Sequence, residues 1–187
     1  MQINLSNHKV PFRLALNAFC VRVGLFFCFL CLFLCGACNA QKKTEIRKAD
    51  YIQLLEKRLE SLEKQIQQNP QHHFLLLQKA QILDSLENYL DALEAINAFL
   101  RKEPKHIAGY YLRGKIKIYL KDDSGAINDF NKILWLNPQE AEAYFQRGIL
   151  RLKHKDTTGA CLEFRKAHAL QHTKAQEYQQ KFCLKTN

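Results

Sequence analysis

A fixed spacing of prolines is the feature of this sequence that most constrains its fold. Pro70, Pro104 and Pro138 lie 34 residues apart, and each follows an asparagine or a glutamate. A regular period of this length indicates units that stack on their neighbours, in place of one domain around a central core. Alignment on the prolines divides the middle of the chain into units 73–106, 107–140 and 141–174.

The second and third units are close copies of each other. Residues 108–114, AGYYLRG, match 142–148, EAYFQRG, and residues 122–130, DDSGAINDF, match 156–164, DTTGACLEF. These A-Y-x-x-R-G and G-A-x-x-x-F segments, together with the period, resemble the tetratricopeptide repeat over residues 73–174. The first unit is more diverged. The resemblance implies an all-α fold, a right-handed α-solenoid of helix-turn-helix repeats that ends in a capping helix and binds other proteins.

Small residues recur at the same place in both helices of each unit, and they predict close approach of the two helix axes. On the first helix they are Ala80, Gly114 and Gly148, and on the second they are Ala92, Ala126 and Ala160. Larger side chains, among them Tyr110, Phe130 and Phe164, are expected to fill the space beside them. Each proline ends the second helix, because it lacks an N–H and disfavours helical angles in the residue before it.

Two of the units also carry a matched pair of opposite charges. Arg113 and Asp129 are sixteen residues apart, and so are Arg147 and Glu163. We expect an ion pair between the two helices of each of these units, with two exposed and unpaired charges as the alternative. The first unit has Lys79 and Ala95 at these places.

A further helix is predicted before the first unit. Apolar residues recur at 3-4-3-4 spacing on one stripe of this helix, within the segment 49–69. They are Ile52, Leu55, Leu59, Leu62 and Ile66. We interpret the segment as the second helix of a degenerate leading repeat that packs on unit 73–106. A homodimeric coiled coil is the alternative, although barely three heptads are present.

A short capping helix is predicted within residues 175–187, where Tyr178 and Phe182 lie on one side. Cys183 on this helix and Cys161 on the preceding one are the two cysteines of the repeat region, and stacking of the cap would bring them together. A disulfide between them, or two buried thiols, are the two possibilities. Oxidation would require an oxidising compartment.

The resemblance also implies a binding surface. In this family the first helix of each unit lines the concave face, and five places of each unit point into it. In this chain these are Phe74, Leu77, Gln81, Asp84 and Ser85, then Ala108, Tyr111, Lys115, Ile118 and Tyr119, then Glu142, Phe145, Ile149, Leu152 and Lys153. The principal groove residues are then Phe74, Leu77, Tyr111, Lys115, Ile118, Tyr119, Phe145, Ile149 and Lys153.

These side chains predict an apolar and aromatic groove with basic points at Lys115 and Lys153. A peptide with apolar and acidic residues is the expected ligand, or else some of the aromatics pack between the helices. The variant of the family that clamps a terminal carboxylate needs asparagine where Gln81 and Ile149 stand, so that activity is not expected.

The N-terminal 38 residues have the layout of an export signal. Basic residues precede the apolar run 23–34, VGLFFCFLCLFL, and small residues follow it. The run Leu34-Cys35-Gly36-Ala37-Cys38 resembles a bacterial lipoprotein box, with Cys35 in the place where that box prefers leucine. The expectation is lipidation at Cys38 and a linker over 39–48. Simple secretion and a retained single-pass anchor are the alternatives. Each of these places the repeats in the cell envelope or outside the cell.

Composition and motifs favour a binding protein over an enzyme. The chain has a net charge of +10, and the part after residue 38 holds all 18 acidic residues and all but three of the 28 basic ones. This basic charge is spread along the repeats, so we expect no binding of nucleic acid. The histidines, which stand at repeat ends or on polar faces, form no metal-ligand pair, and phosphate-loop and nucleophile motifs are missing. We therefore expect no cofactor and no bound metal. The four cysteines at 28–38 lie in an apolar run that could not wrap a metal site.

Overall fold

A computed structural model describes residues 47–183 of the 187-residue chain. The predicted leader 1–38 with Cys38, nearly all of the linker 39–48 and the last residues of segment 175–187 lie outside the described residues. The chain divides into two compact units, Met1–Gln53 and Leu54–Asn187. All contacts reported below lie within the second unit.

Regular structure in the described part is entirely helical. The helices are α1 (47–68), α2 (Phe74–Ser85), α3 (Tyr89–Lys102), α4 (Ile107–Tyr119), α5 (Asp123–Leu136), α6 (Ala141–Lys153), α7 (Thr157–Ala169) and α8 (Ala175–Phe182). The most extensive packing joins α2 to α3, α4 to α5 and α6 to α7. Each second helix also packs on the first helix of the next hairpin, and α8 packs on α7. The described helices therefore form a stacked series of hairpins.

The turns inside the second and third hairpins are tight because one aspartate contacts both helices. At the end of α4, Lys121 adopts a positive φ of 61°, and the Asp122 N–H donates to the Lys117 carbonyl oxygen at 2.8 Å. The Asp122 side chain then caps α5 by accepting from the Gly125 N–H at 2.8 Å. A Cβ at residue 125 would collide with the Asp122 carboxylate. The glycine in the D-x-x-G segment is therefore required by the cap.

Glycine in the R-G segment has a different reason, which is contact with a phenylalanine ring of the paired helix. The atoms nearest to a Cβ built at Gly114 belong to Phe130 and Asp129, and those at Gly148 belong to Phe164 and Glu163. The second-helix alanines Ala126 and Ala160 are fully buried, but they are not the nearest neighbours of these glycines. The glycines make room for phenylalanine rings from the paired helix.

The predicted ion pairs between helices are confirmed, and each extends into the preceding unit. The Arg113 guanidinium donates from Nε to both oxygens of Asp129 at 3.1 Å, and from Nη1 to the Asn97 Oδ1 at 2.9 Å. Lys117 Nζ lies 2.9 Å from Asp129, whose side chain is only 2% exposed. Each pair therefore links the two helices of its own unit and the helix before them.

The same relay recurs one period later and takes a different form in the first unit. Arg147 donates to Glu163 at 2.8 Å and to Asn131 at 2.6 Å. In the first unit, Lys79 pairs with Glu63 of α1 at 2.7 Å. Glu63 thus lies sixteen residues before Lys79. Asn97 and Asn131 stand at the same distance before Arg113 and Arg147 in the later units. Glu63, Asn97 and Asn131 follow the 34-residue period, and this spacing is the sequence signal for the partner on the preceding helix.

The apolar stripe of α1 is covered by the chain itself. Leu55 and Leu62 are buried against Leu75 and Ile82 of α2, with Leu59 and Ile66 partly buried beside them. Ile52, at the start of the stripe, is exposed. This packing agrees with a leading helix of the solenoid and leaves little of the stripe from Leu55 onward for a coiled-coil partner.

Candidate functional site

A cleft of about 420 Å³ opens between the first helices of the second and third units. Its lining comes mainly from α4, with Phe130 of α5 as part of the floor and α6 as the far wall. The lining residues are Tyr111, Leu112, Lys115, Ile118, Tyr119, Phe130, Glu142 and Gln146. Four of the principal groove residues, Tyr111, Lys115, Ile118 and Tyr119, therefore lie around one opening, together with Glu142, which was also predicted to point into the concave face.

The aromatic residues of the cleft are held in place by ring contacts. Tyr111 is half-buried and lies against Phe130, with ring centroids 6.0 Å apart. Tyr119 is 54% exposed and stacks on Tyr89 of α3 at 4.6 Å with nearly parallel planes. Tyr119 thus presents an exposed apolar surface at the edge of the cleft that is fixed before any ligand arrives.

The Tyr111 hydroxyl is a buried polar group in the lining of the cleft. Its oxygen is buried and lies near enough to the Ala143 N–H for that group to act on its pKa, and no acceptor for the hydroxyl proton is found among the described residues. Burial, followed by the nearby carboxylates of Glu140 and Glu142, raises the pKa of Tyr111 far above its ordinary value. The hydroxyl therefore keeps its proton at neutral pH and can donate a hydrogen bond.

The charged residues around the cleft are paired within the chain. Lys115 Nζ lies 2.6 Å from Asp84 Oδ2 of the first unit, and this hydrogen bond raises the pKa of Lys115. Lys153 Nζ lies 2.6 Å from Asp123, and the His154 ring contacts the same carboxylate at 2.9 Å. Each of the two basic points expected from the sequence is therefore neutralised by an acid of the preceding repeat.

The third unit places its predicted groove residues differently from the second. Phe145, expected on the groove surface, is only 6% exposed. It packs against Phe164 and Tyr178 and stacks on the His172 ring at 4.1 Å. The capping helix α8 covers this position, so Phe145 belongs to the core beneath the cap. Ile149 is half-buried beside the same cluster.

The first unit contributes the remaining predicted residues. Phe74 is exposed at one edge, where its ring contacts Phe99 at 5.4 Å and His106 at 6.0 Å. Leu77 is half-buried and packs against the main core. Neither residue lines the cleft at α4. Of the predicted binding surface, only the part around Tyr111 and Tyr119 therefore belongs to the cleft.

The structure joins Cys161 of α7 to Cys183 by a disulfide, with 5.7 Å between the Cα atoms. Cys183 directly follows α8, whose single buried residue is Ala175. The bond therefore fastens a short helix that buries little of its own surface, and with it the cover over Phe145.

Several histidines contact carboxylates that the sequence did not reveal. His73 lies 2.6 Å from Glu103, His154 reaches Asp123, and His172 lies 2.8 Å from Glu142. His172 is also more enclosed than its place at a repeat end suggested. Within residues 47–183, no group of three or more histidines, cysteines or acids could hold a metal ion. In the same residues, no helix is both long and apolar enough to cross a bilayer.

Comparison with known proteins identifies the fold. No family model and no curated protein sequence matches the chain. Among solved structures, MamA from Desulfovibrio magneticus RS-1 superposes with a TM-score of 0.60 at 21% identity, over 64% of this chain and 68% of that one. A tetratricopeptide repeat protein from Parabacteroides merdae gives 0.58 at 23%, over 67% of this chain and 55% of that protein.

A third similar structure is the first tetratricopeptide domain of Spaghetti (RPAP3), which is bound to an HSP90 peptide. It gives a TM-score of 0.56 at 20% identity, over 61% of this chain and 92% of that domain. At these identities the likeness concerns the fold alone. The predicted all-α solenoid of tetratricopeptide repeats is thereby confirmed.

Proposed function

We propose that this chain is a non-catalytic scaffold that binds a segment of another polypeptide in the cleft between α4 and α6. The tetratricopeptide-repeat fold supports a role in protein–protein interaction. The observation that carries the proposal is the cleft itself, with pre-positioned aromatic residues around an apolar floor. Aromatic anchors of this kind dominate the energetics of peptide recognition.

The similar structures support a peptide as the class of ligand. The Spaghetti domain, at 20% identity, is bound to the HSP90 peptide SRMEEVD. In this chain, Gln81 and Ile149 stand where a carboxylate clamp would have asparagine. A segment within a polypeptide is therefore a better candidate than a free C-terminus.

We further propose that the scaffold works outside the cytosol, tethered to a bacterial membrane by lipidation at Cys38. The support is the basic, apolar and small-residue layout of residues 1–38. A disulfide between Cys161 and Cys183 is consistent with this location, because disulfides persist in oxidising compartments. Secretion without lipid and a retained apolar anchor are the alternative ways of leaving the cytosol.

The binding proposal is tested with full-length protein purified from detergent-solubilised membranes of the cells that produce it. Tyr119→Ala should lose a polypeptide that wild-type protein retains. Trp135→Ala is the matched control, because Trp135 is an aromatic residue that is 69% exposed outside the cleft. Equal retention by both variants, or no specific polypeptide with wild-type protein, would contradict a role for the cleft.

The location proposal has a separate test. Membrane fractionation combined with mass spectrometry of the mature N-terminus should find Cys38 as the first residue, carrying a diacylglycerol group. Cys38→Ser should release the protein from the membrane or leave its leader uncleaved. An unmodified full-length chain in the cytosol would refute export.

A further inference from the structure

The cleft lies among charged side chains that already satisfy one another. Lys115 lines the cleft and is bound to Asp84, whereas Lys153 lies outside the lining and is bound to Asp123. The Glu142 carboxylate accepts from the Gln146 amide at 2.6 Å through one oxygen and contacts His172 at 2.8 Å through the other. No charge of the cleft wall therefore points at an incoming ligand without a partner in this chain.

The two lysines cannot easily be diverted to a ligand. The side chains of Asp84 and Asp123 are only 9% and 8% exposed. If an acidic ligand drew Lys115 away, Asp84 would be left as a buried charge without its counter-ion, which is strongly unfavourable. Asp84 Oδ1 already has no hydrogen-bond partner among the described residues. The lysines thus serve buried carboxylates of neighbouring repeats.

What the cleft offers a ligand is apolar surface with a small number of polar groups. Ile118, Leu112 and Phe130 form its floor. The Tyr111 hydroxyl in its lining has the Ala143 N–H nearby, and its own proton has no acceptor among the described residues. A volume of about 420 Å³ accommodates a side chain together with some of the backbone that carries it. A backbone carbonyl or another neutral acceptor would satisfy the hydroxyl.

We infer that the cleft selects an uncharged polypeptide segment, which inserts an aromatic or branched aliphatic side chain beside Tyr111 and Tyr119, and that it discriminates against acidic segments. This inference rests on the proposed function, whose ligand chemistry it specifies. It keeps the apolar residues of the peptide expected from the sequence and departs from its acidic ones, because both basic points are neutralised. Affinity that comes from burial of apolar surface depends little on ionic strength.

The probe is a random dodecapeptide library displayed on phage and selected on full-length protein in nanodiscs. The same selection is run on Tyr119→Ala and on Trp135→Ala, each first shown by its melting curve to be folded. Sequences recovered by wild type and Trp135→Ala but lost on Tyr119→Ala report the cleft. Among these we expect enrichment of Phe, Tyr, Leu and Ile and depletion of Asp and Glu, each by about threefold or more over the unselected library.

Synthetic peptides of the enriched sequences complete the test. Their Kd should change by less than about twofold between roughly 50 and 500 mM NaCl. Enrichment of Asp and Glu that is lost on Tyr119→Ala, or a Kd that weakens more than about tenfold with salt, would overturn the inference while leaving a peptide-binding cleft. Recovery of the same sequences on wild type and Tyr119→Ala would overturn both the inference and the proposed function.

Discussion

At the scale of single residues, the two glycines of the R-G segments differ in how closely the paired helix approaches them. A Cβ at Gly148 would lie 2.6 Å from the Phe164 ring, whereas one at Gly114 would lie 3.2 Å from Phe130. Phe164 is also held by Phe145 and Tyr178, so it has little room to move. The same sequence motif therefore tolerates a methyl group differently in neighbouring units.

We expect Gly148→Ala to lower the free energy of unfolding by about 1–3 kcal/mol, because the added methyl overpacks the site. Gly114→Ala should be near neutral, since a slighter contact is offset by the higher helix propensity of alanine, worth about 1 kcal/mol. Urea unfolding of both variants measures the difference. Equal effects would show that the Phe164 ring moves aside freely.

Asp123 is a second residue whose contribution to stability depends on its immediate contacts, those with Lys153 and His154. The hydrogen bond from Lys153 is the largest cause that lowers its pKa, followed by the Lys153 charge and the His154 contact. A carboxyl group with a lowered folded-state pKa contributes stability above its unfolded pKa of 3.8. That stability is lost as the pH falls through the folded value.

Asp123→Asn should therefore reduce the free energy of unfolding at pH 7 and flatten its fall between about pH 5 and pH 2. Glu94→Gln removes an exposed carboxylate with no ion pair among the described residues, and should leave the slope unchanged. Unfolding curves at several pH values give both slopes. A slope unaltered by Asp123→Asn would show that this pair contributes nothing to acid stability.

At the scale of helices, the asparagine–arginine–acid relay joins three successive elements. Arg113 of α4 reaches Asn97 of α3 and Asp129 of α5. In the first unit, Lys79 reaches back to Glu63 of α1 and has alanine at the later acid place. The relay therefore fixes how each first helix sits between the second helices on either side.

Arg113→Met should lower the free energy of unfolding by about 2–3 kcal/mol, because Asp129 stays buried with only Lys117 as a counter-ion. Lys64→Met removes an exposed pair with Glu60 and should lose much less stability than Arg113→Met. Denaturant unfolding compares the two variants. A similar loss of stability for both variants would mean that the relay does not fix the position of α4 between α3 and α5.

We expect the capping helix to depend on its covalent link, because Ala175 is the one buried residue of α8. Reduction of the Cys161–Cys183 bond, or Cys183→Ala, should lower the free energy of unfolding by about 3 kcal/mol for a loop of 22 residues. Amide hydrogens of α8 should then exchange faster than those of α4. Unchanged protection of α8 under reducing conditions would show that packing of Tyr178 and Ala175 suffices to hold the cap.

At the scale of the whole molecule, the packing of α1 bears on the oligomeric state, because its apolar stripe could pack either inside the chain or on a second copy. Leu62 is 4% exposed and packs inside the chain, whereas Leu54 on the same helix is 62% exposed. We expect Leu62→Ala to lower the free energy of unfolding by about 2–4 kcal/mol, and Leu54→Ala by less than about 0.5 kcal/mol. Neither change should alter the mass measured by sedimentation in detergent. Dissociation caused by Leu62→Ala would favour the coiled coil.

The sequence by itself determined the repeat, the helical class and the pairing of arginine with acid inside a unit. These features follow from local periodicity and from residues at constant separation, which a linear chain displays directly. It also pointed to Tyr111, Lys115, Ile118 and Tyr119, because family positions on one helix face translate into one surface.

Only the tertiary structure decided which of those side chains are available. Phe145 is covered by α8, and Lys115 and Lys153 are bound to Asp84 and Asp123 about thirty residues away. Burial and charge pairing depend on how neighbouring units approach in space, and a repeat motif is the same whether or not a cap lies over it. For this reason the sequence predicted an apolar and aromatic groove with two basic points, whereas packing between the repeats pairs both of those charges with acids of the preceding repeat.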